Sequence, residues 1–132
     1  MQQRLWVSVP EIADDVRAAL AGGDESHAFR MMMDGLNRLP IAQAEQCLDE
    51  ALVEPKTVGN VKWDTLLAGS VRYKLHSMGI QPAPAWTRKP PLRAFWWPNA
   101  YTPEKRYNDM VRTPPELERL NIFFDRNEYV QA

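Results

Sequence analysis

Cysteine is nearly absent from this chain: its 132 residues hold one, Cys47, so no internal disulfide can form. A lone cysteine inside a helical pattern suits a reducing compartment, and a cytoplasmic location is expected. Histidine is almost as scarce, and His27 and His76 have no paired spacing with each other or with Cys47, so no zinc site is proposed. The six glycines form neither a phosphate-cradling loop nor a dinucleotide fingerprint. No apolar run approaches the roughly 20 residues needed to span a bilayer, and the N-terminus lacks a basic start followed by an apolar core and a cleavage site. A net charge of -1 gives no general attraction to nucleic acid or acidic membrane.

Catalytic constellations are missing as well. The adjacent carboxylates Asp14-Asp15 and Asp49-Glu50 point in different directions on a helix, and no serine or threonine sits in a recognisable nucleophile setting. His27 stands near the acidic first turn of a helix and His76 near a helix C-terminus, where a histidine interacts favourably with the dipole. No catalytic residue, metal or cofactor is therefore assigned. The expectation is a non-enzymatic protein.

What is present is a helical pattern with punctuation. Ser8-Val-Pro-Glu11 matches a capping box, and Ile12, Val16, Ala19 and Leu20 follow at helical spacing until Gly22-Gly23. Asp24 caps a second helix with the apolar stripe Ala28, Phe29, Met32, Met33 and Leu36, ending at Pro40. Of the three methionines Met31 to Met33, only two can face a core well; core packing is the expected role, with a partner-facing Met31 as the alternative. A third helix is expected over about Ile41 to Val53, closed by Pro55. The fourth runs from near Val61, carrying Trp63, Leu66, Leu67, Val71 and Leu75, to Gly79 as a left-handed cap with Ile80 behind it.

Beyond Ile80 the helical register is lost. Eight of the eleven prolines fall between Pro82 and Pro115, a density that removes backbone donors and blocks continuous helix. A disordered linker would be poor in aromatics; this stretch holds Trp86, Phe95, Trp96, Trp97, Tyr101 and Tyr107. An ordered extended arm is expected, with turns at Pro90-Pro91 and Pro98-Asn99. A short helix should follow from Thr113-Pro-Pro-Glu116 to about Leu120, with Asn121 as its left-handed terminator. Ile122-Phe123-Phe124 should then fill an apolar groove, and Asp125 should cap a last turn. The fold class is thus mainly α: a small bundle of about four helices over residues 1–80, followed over residues 81–132 by an extended Pro/Trp-rich arm and a short C-terminal helix. The two parts are expected to pack as one structural domain.

Charge is unevenly spread. Residues 1–60 carry five basic and ten acidic side chains, whereas residues 81–112 carry six basic and two acidic. The basic arm can recognise an acidic surface, the chain's own first half included.

The segments GDESHAFRMMMDGLNRL, VKWDTLLAGSVRYKLHSMGI, PAPAWTRKPPLRAFWWP and VRTPPELERLNIFFDRNEYV resemble a family of small helical actinobacterial proteins that is similar to antitoxins, over about residues 22–132. Some relatives of that kind carry a helix-turn-helix domain ahead of this region or lie beside a nucleotidyltransferase-like protein. With no room for such a domain before Ser8, the resemblance implies the toxin-binding part alone, acting by steric occlusion of a protein partner. The residues expected to contact that partner are Trp86, Arg88, Lys89, Arg93, Trp96, Trp97, Tyr101 and Tyr107, because Trp, Tyr and Arg dominate interface hot spots. Two alternatives stand beside this reading. In one, the basic aromatic arm binds nucleic acid, since cations interleaved with aromatic platforms hold single strands. In the other, the tail completes the protein's own core or a homodimer.

Overall fold

The computed structural model describes residues 4–100 and 102–129. The chain is mainly α-helical, as its patterning predicts, and forms two compact units, Met1–Gly59 and Asn60–Ala132. Among the described residues there is no strand, only an isolated parallel bridge between Trp96 and Ile122.

In the first unit, α1 (Val9–Ala21) starts as its sequence dictates. The Ser8 hydroxyl accepts from the Glu11 amide at 3.3 Å and the Glu11 carboxylate accepts from the Ser8 amide at 3.0 Å, so two orphan donors are satisfied reciprocally. Arg4 adds an ion pair to the same carboxylate. The helix stops where Gly23 turns left-handed at φ +75°, with the Asp24 amide donating to the Ala19 carbonyl. Asp24 then caps α2 (Glu25–Leu36) by accepting from the His27 amide at 3.0 Å. The stripe Ala28, Phe29, Met32, Met33 and Leu36 is buried as expected, and Met31 is half-buried. The packing of α1 on α2 is close at Gly35, where an added Cβ would lie 2.6 Å from Ile12 Cγ1.

The expected single helix from Ile41 to Val53 is two short ones, α3 (Leu39–Ala44) and α4 (Leu48–Ala51). Pro40 does not end α2, which already stops at Leu36; it sits in the first turn of α3, where its missing amide is harmless. The break follows from Gln46, which adopts φ +59°. The Cys47 amide reaches back to the Ala42 carbonyl at 2.8 Å and the Gln46 amide to Gln43 at 3.1 Å, the double bond pattern of a left-handed helix stop. Glycine or asparagine normally announces that stop; glutamine does not.

The second unit is built around α5 (Val61–Ser77), capped by the Asn60 side chain. It buries Trp63, Leu66, Leu67, Val71 and Leu75 and ends in the expected motif: Gly79 at φ +76°, the Ile80 amide bonded to the Leu75 carbonyl. This helix lies in the same compact unit as the tail.

The tail is less extended than its proline content suggests. A 3-10 turn covers Ala85–Thr87, and a ten-residue helix, α6 (Pro103–Arg112), lies inside the stretch expected to be an extended arm. Its signal was present: Thr102 accepts from the Lys105 amide at 3.2 Å and Pro103 occupies the first turn. Of the two expected turns, Pro98-Asn99 is present, while the chain bends at Arg93-Ala94 instead of turning at Pro90-Pro91. Then comes α7 (Pro115–Glu118), ended by Asn121 at φ +66° as predicted. Thr113 is not its cap; its hydroxyl donates to the Asp109 carbonyl and accepts from the Phe124 amide.

Four residues of helix have no stability of their own. What holds α7 is burial of Leu117 and Leu120 against α5, about 1.5–3 kcal/mol for each such side chain fully buried. Gly69 of α5 makes the approach feasible, since a Cβ there would meet Leu120 Cδ1 at 2.7 Å. Ile122, Phe123 and Phe124 are buried as expected, and a final 3-10 turn, Arg126–Tyr129, follows the Asp125 cap.

Candidate binding surface

The arm's tryptophans are committed to their own unit. Trp96 donates its amide to the Asn121 carbonyl and accepts from the Phe123 amide, both at 2.9 Å. Its ring meets Trp63 edge-on at 5.3 Å, with the Lys62 ammonium 5.2 Å from its centroid. Trp97 packs on Phe123 at 5.3 Å, lies 5.2 Å from the Arg106 guanidinium and donates its indole N–H to the Arg106 carbonyl at 3.2 Å. Both rings are half-buried. Segment 92–96 is thereby laced to segment 120–123, an attachment reinforced by the Asn121 amide on the Leu92 carbonyl at 2.6 Å.

α6 has the reverse of an ordinary surface helix, which buries its apolar stripe. Asp109 is its one fully buried residue, and both of its carboxylate oxygens accept from the Lys105 ammonium at 3.1 Å. Burial pushes the Asp109 carboxyl above its ordinary value, opposed by the Lys105 ammonium. The helix is tethered by polar contacts: the Trp97 indole on the Arg106 carbonyl, Thr113 on the Asp109 carbonyl, and Arg126 Nε on the Arg112 carbonyl at 3.2 Å. Its apolar side chains point outward at i, i+3 and i+4: Tyr107 is 74% exposed, Met110 41% and Val111 64%. Phe95, 60% exposed, stands edge-on to Trp97 beside this helix.

Of the eight residues expected to contact a partner, Tyr107 lies on this outward face, Trp96 and Trp97 are half-buried within the unit, and Trp86 is half-buried in the 3-10 turn. Arg88, Lys89 and Arg93 are exposed; the first two line a cleft with Arg72 and Arg119, while Arg93 lines a neighbouring one beside Pro90 and Pro91 that shares Lys89. Tyr101 lies outside the described residues. Sequence reasoning missed Phe95, Met110 and Val111 as exposed groups; the spacing of Tyr107, Met110 and Val111 after the Thr102-Pro103 start was the signal that marked them. Among the described residues no group of three or more His, Cys, Asp or Glu is placed to hold a metal ion, and no helix is long and apolar enough to cross a membrane.

The surface these residues define is a helix with apolar groups outward and charged groups, Glu104, Arg106 and Arg112, at its margins. No protein-family model, curated protein or solved structure matches the chain.

Proposed function

We propose that the Asn60–Ala132 unit is a non-enzymatic protein-docking module, antitoxin-like in the sense of the sequence resemblance, that neutralises a partner by covering its surface. The observation that carries this reading is the outward stripe Tyr107, Met110 and Val111 on a helix whose inward side is the buried aspartate. Water-facing apolar groups at helical spacing are how an amphipathic helix enters a partner's groove. Arg106, Arg112 and the exposed Glu104 border the stripe, so the complementary groove is apolar with charges of both signs at its rim. The partner expected from the resemblance is a nucleotidyltransferase-like toxin.

Base stacking is a weaker use of the arm, because Trp96 and Trp97 already engage Trp63, Lys62, Phe123 and Arg106. The homodimeric alternative uses the same stripe against a second copy.

The test is co-expression of the full chain with the product of the adjacent gene, followed by size-exclusion chromatography with light scattering. A stable hetero-complex that survives 0.5 M salt and is lost with the triple change Tyr107→Ser, Met110→Ser, Val111→Ser, at unchanged melting temperature, supports docking through α6. A complex indifferent to the triple change overturns it, and so does a homodimer that the triple change dissolves.

A further inference from the structure

A second feature of the Asn60–Ala132 unit is independent of the α6 face. Arg72 of α5, Arg88 and Lys89 after the 3-10 turn, and Arg119 after α7 converge on one cleft of about 390 Å³, together with Thr87 and Glu116. These four cations come from three segments separated in sequence, and one carboxylate faces them. Glu116 is itself engaged, its carboxylate 2.8 Å from His76 Nδ1. Among the described residues no ion pair or side-chain hydrogen bond engages Arg88, Lys89 or Arg119.

The cleft is built rather than incidental. Thr87 is fully buried; its hydroxyl donates to the Pro84 carbonyl at 2.6 Å and accepts from Arg72 Nη1 at 3.3 Å, which fixes the guanidinium at the cleft wall. The close approach at Gly69 seats Leu117 and Leu120 on α5 and so brings Glu116 and Arg119 to the level of Arg72 and His76. Holding several unpaired guanidinium groups in one concavity is electrostatically unfavourable without an anion.

We infer that this cleft binds a small phosphate or diphosphate ester. Guanidinium forks match phosphate oxygens in pairs, and an excess of three positive charges calls for a ligand of at least two negative ones, which a lone carboxylate does not supply. A contiguous cleft of about 470 Å³ shares Arg72 and Arg88 and extends over His76, Gln81, Pro82 and Ala83. It offers polar and apolar atoms to the organic part of the ester. The four cations are clustered at one point instead of being strung along a surface, which favours a small ligand over a polynucleotide, whose backbone needs a track of cations.

The experiment is isothermal titration of the full chain with inorganic diphosphate, and separately with a single-stranded oligonucleotide, at constant ionic strength. Saturable one-to-one diphosphate binding is expected, weakened roughly tenfold or more by Arg88→Gln with Arg119→Gln, since each removes a charge-assisted hydrogen bond. Both side chains are exposed, so the pair folds normally, and Arg38→Gln with Lys56→Gln, exposed in the other unit, should leave binding unchanged. No saturable diphosphate binding, or equal weakening by the two pairs, overturns the inference. Tighter binding of the oligonucleotide over several nucleotides, dependent on the same arginines, overturns it in favour of a nucleic-acid groove.

Discussion

The hydroxyls of Ser70 and Tyr129 lie 2.8 Å apart, both side chains buried, joining the middle of α5 to the final turn 59 residues later. Tyr129 also stacks on Tyr73 at 4.6 Å and packs against Phe124 at 5.2 Å. Tyr129→Phe leaves the Ser70 hydroxyl buried without its partner and should cost about 1–3 kcal/mol. Adding Ser70→Ala should recover most of that loss. A double-mutant cycle by urea unfolding checks this, and additive losses would refute the pairing. Burial also raises the Tyr129 hydroxyl well above its ordinary value of 10.0. The folded state therefore holds this proton when the unfolded chain has lost it, so the contribution is full below pH 10 and is lost as pH rises through the folded value. Tyr129→Phe should flatten that alkaline decline.

Asp109 gives a second signature, at acid pH. Its carboxyl is raised from 3.8 by burial, so its stabilising contribution is complete below that value and is lost as pH rises through the folded one. Glu11 has the opposite sign: the Ser8 amide lowers it from 4.5, and its contribution is lost on acidification. Relative to Asp109→Asn, the wild-type chain should gain stability as pH falls from 7 towards 4. Parallel melting temperatures across that range would refute the assignment.

The aromatic residues of the tail should separate into two groups. Trp96→Ala removes the edge contact with Trp63 and part of the 92–96 attachment, and should destabilise by about 2–3 kcal/mol, below the range for a wholly buried tryptophan. Tyr107→Ala, at 74% exposure, should change stability by no more than about 0.5 kcal/mol. Thermal unfolding of both variants is the measurement. Equal effects would mean that the two side chains are not partitioned between core and surface.

Gln46 is exposed in the left-handed stop that separates α3 from α4. Gln46→Gly should stabilise the chain by about 0.5–1 kcal/mol, because the backbone conformation is strained for any residue with a Cβ and glycine's greater unfolded freedom offsets only part of the relief. Gln46→Val should destabilise. Chemical denaturation of the two variants decides, and an unchanged midpoint for both would exclude strain at this position.

Local instructions were legible where one residue type carries them. Ser8 and Glu11, Asp24, Gly23, Gly79, Asn121 and Asp125 each act within a few residues of chain, and each does what its chemistry predicts. Gln46 was not legible, because its left-handed stop is held by backbone bonds to Gln43 and Ala42 and not by a residue type that favours positive φ. α6 was not legible as a helix because it has no inward apolar stripe and is held by hydrogen bonds to Trp97, Thr113 and Arg126 that come from outside it.

The same division applies to the candidate sites. The sequence by itself determined that the aromatic, proline-rich stretch is ordered, since so many large rings cannot all remain in water, and that the basic charge lies in the second half of the chain. Only the tertiary structure decided which rings are occupied. Trp96 and Trp97 are drawn inward by Trp63 and Phe123, while Phe95, Tyr107, Met110 and Val111 are left facing out. It also gathered Arg72, Arg88, Lys89 and Arg119 into one cleft. Spacing along the chain cannot encode that convergence, because it depends on how closely α7 settles against Gly69.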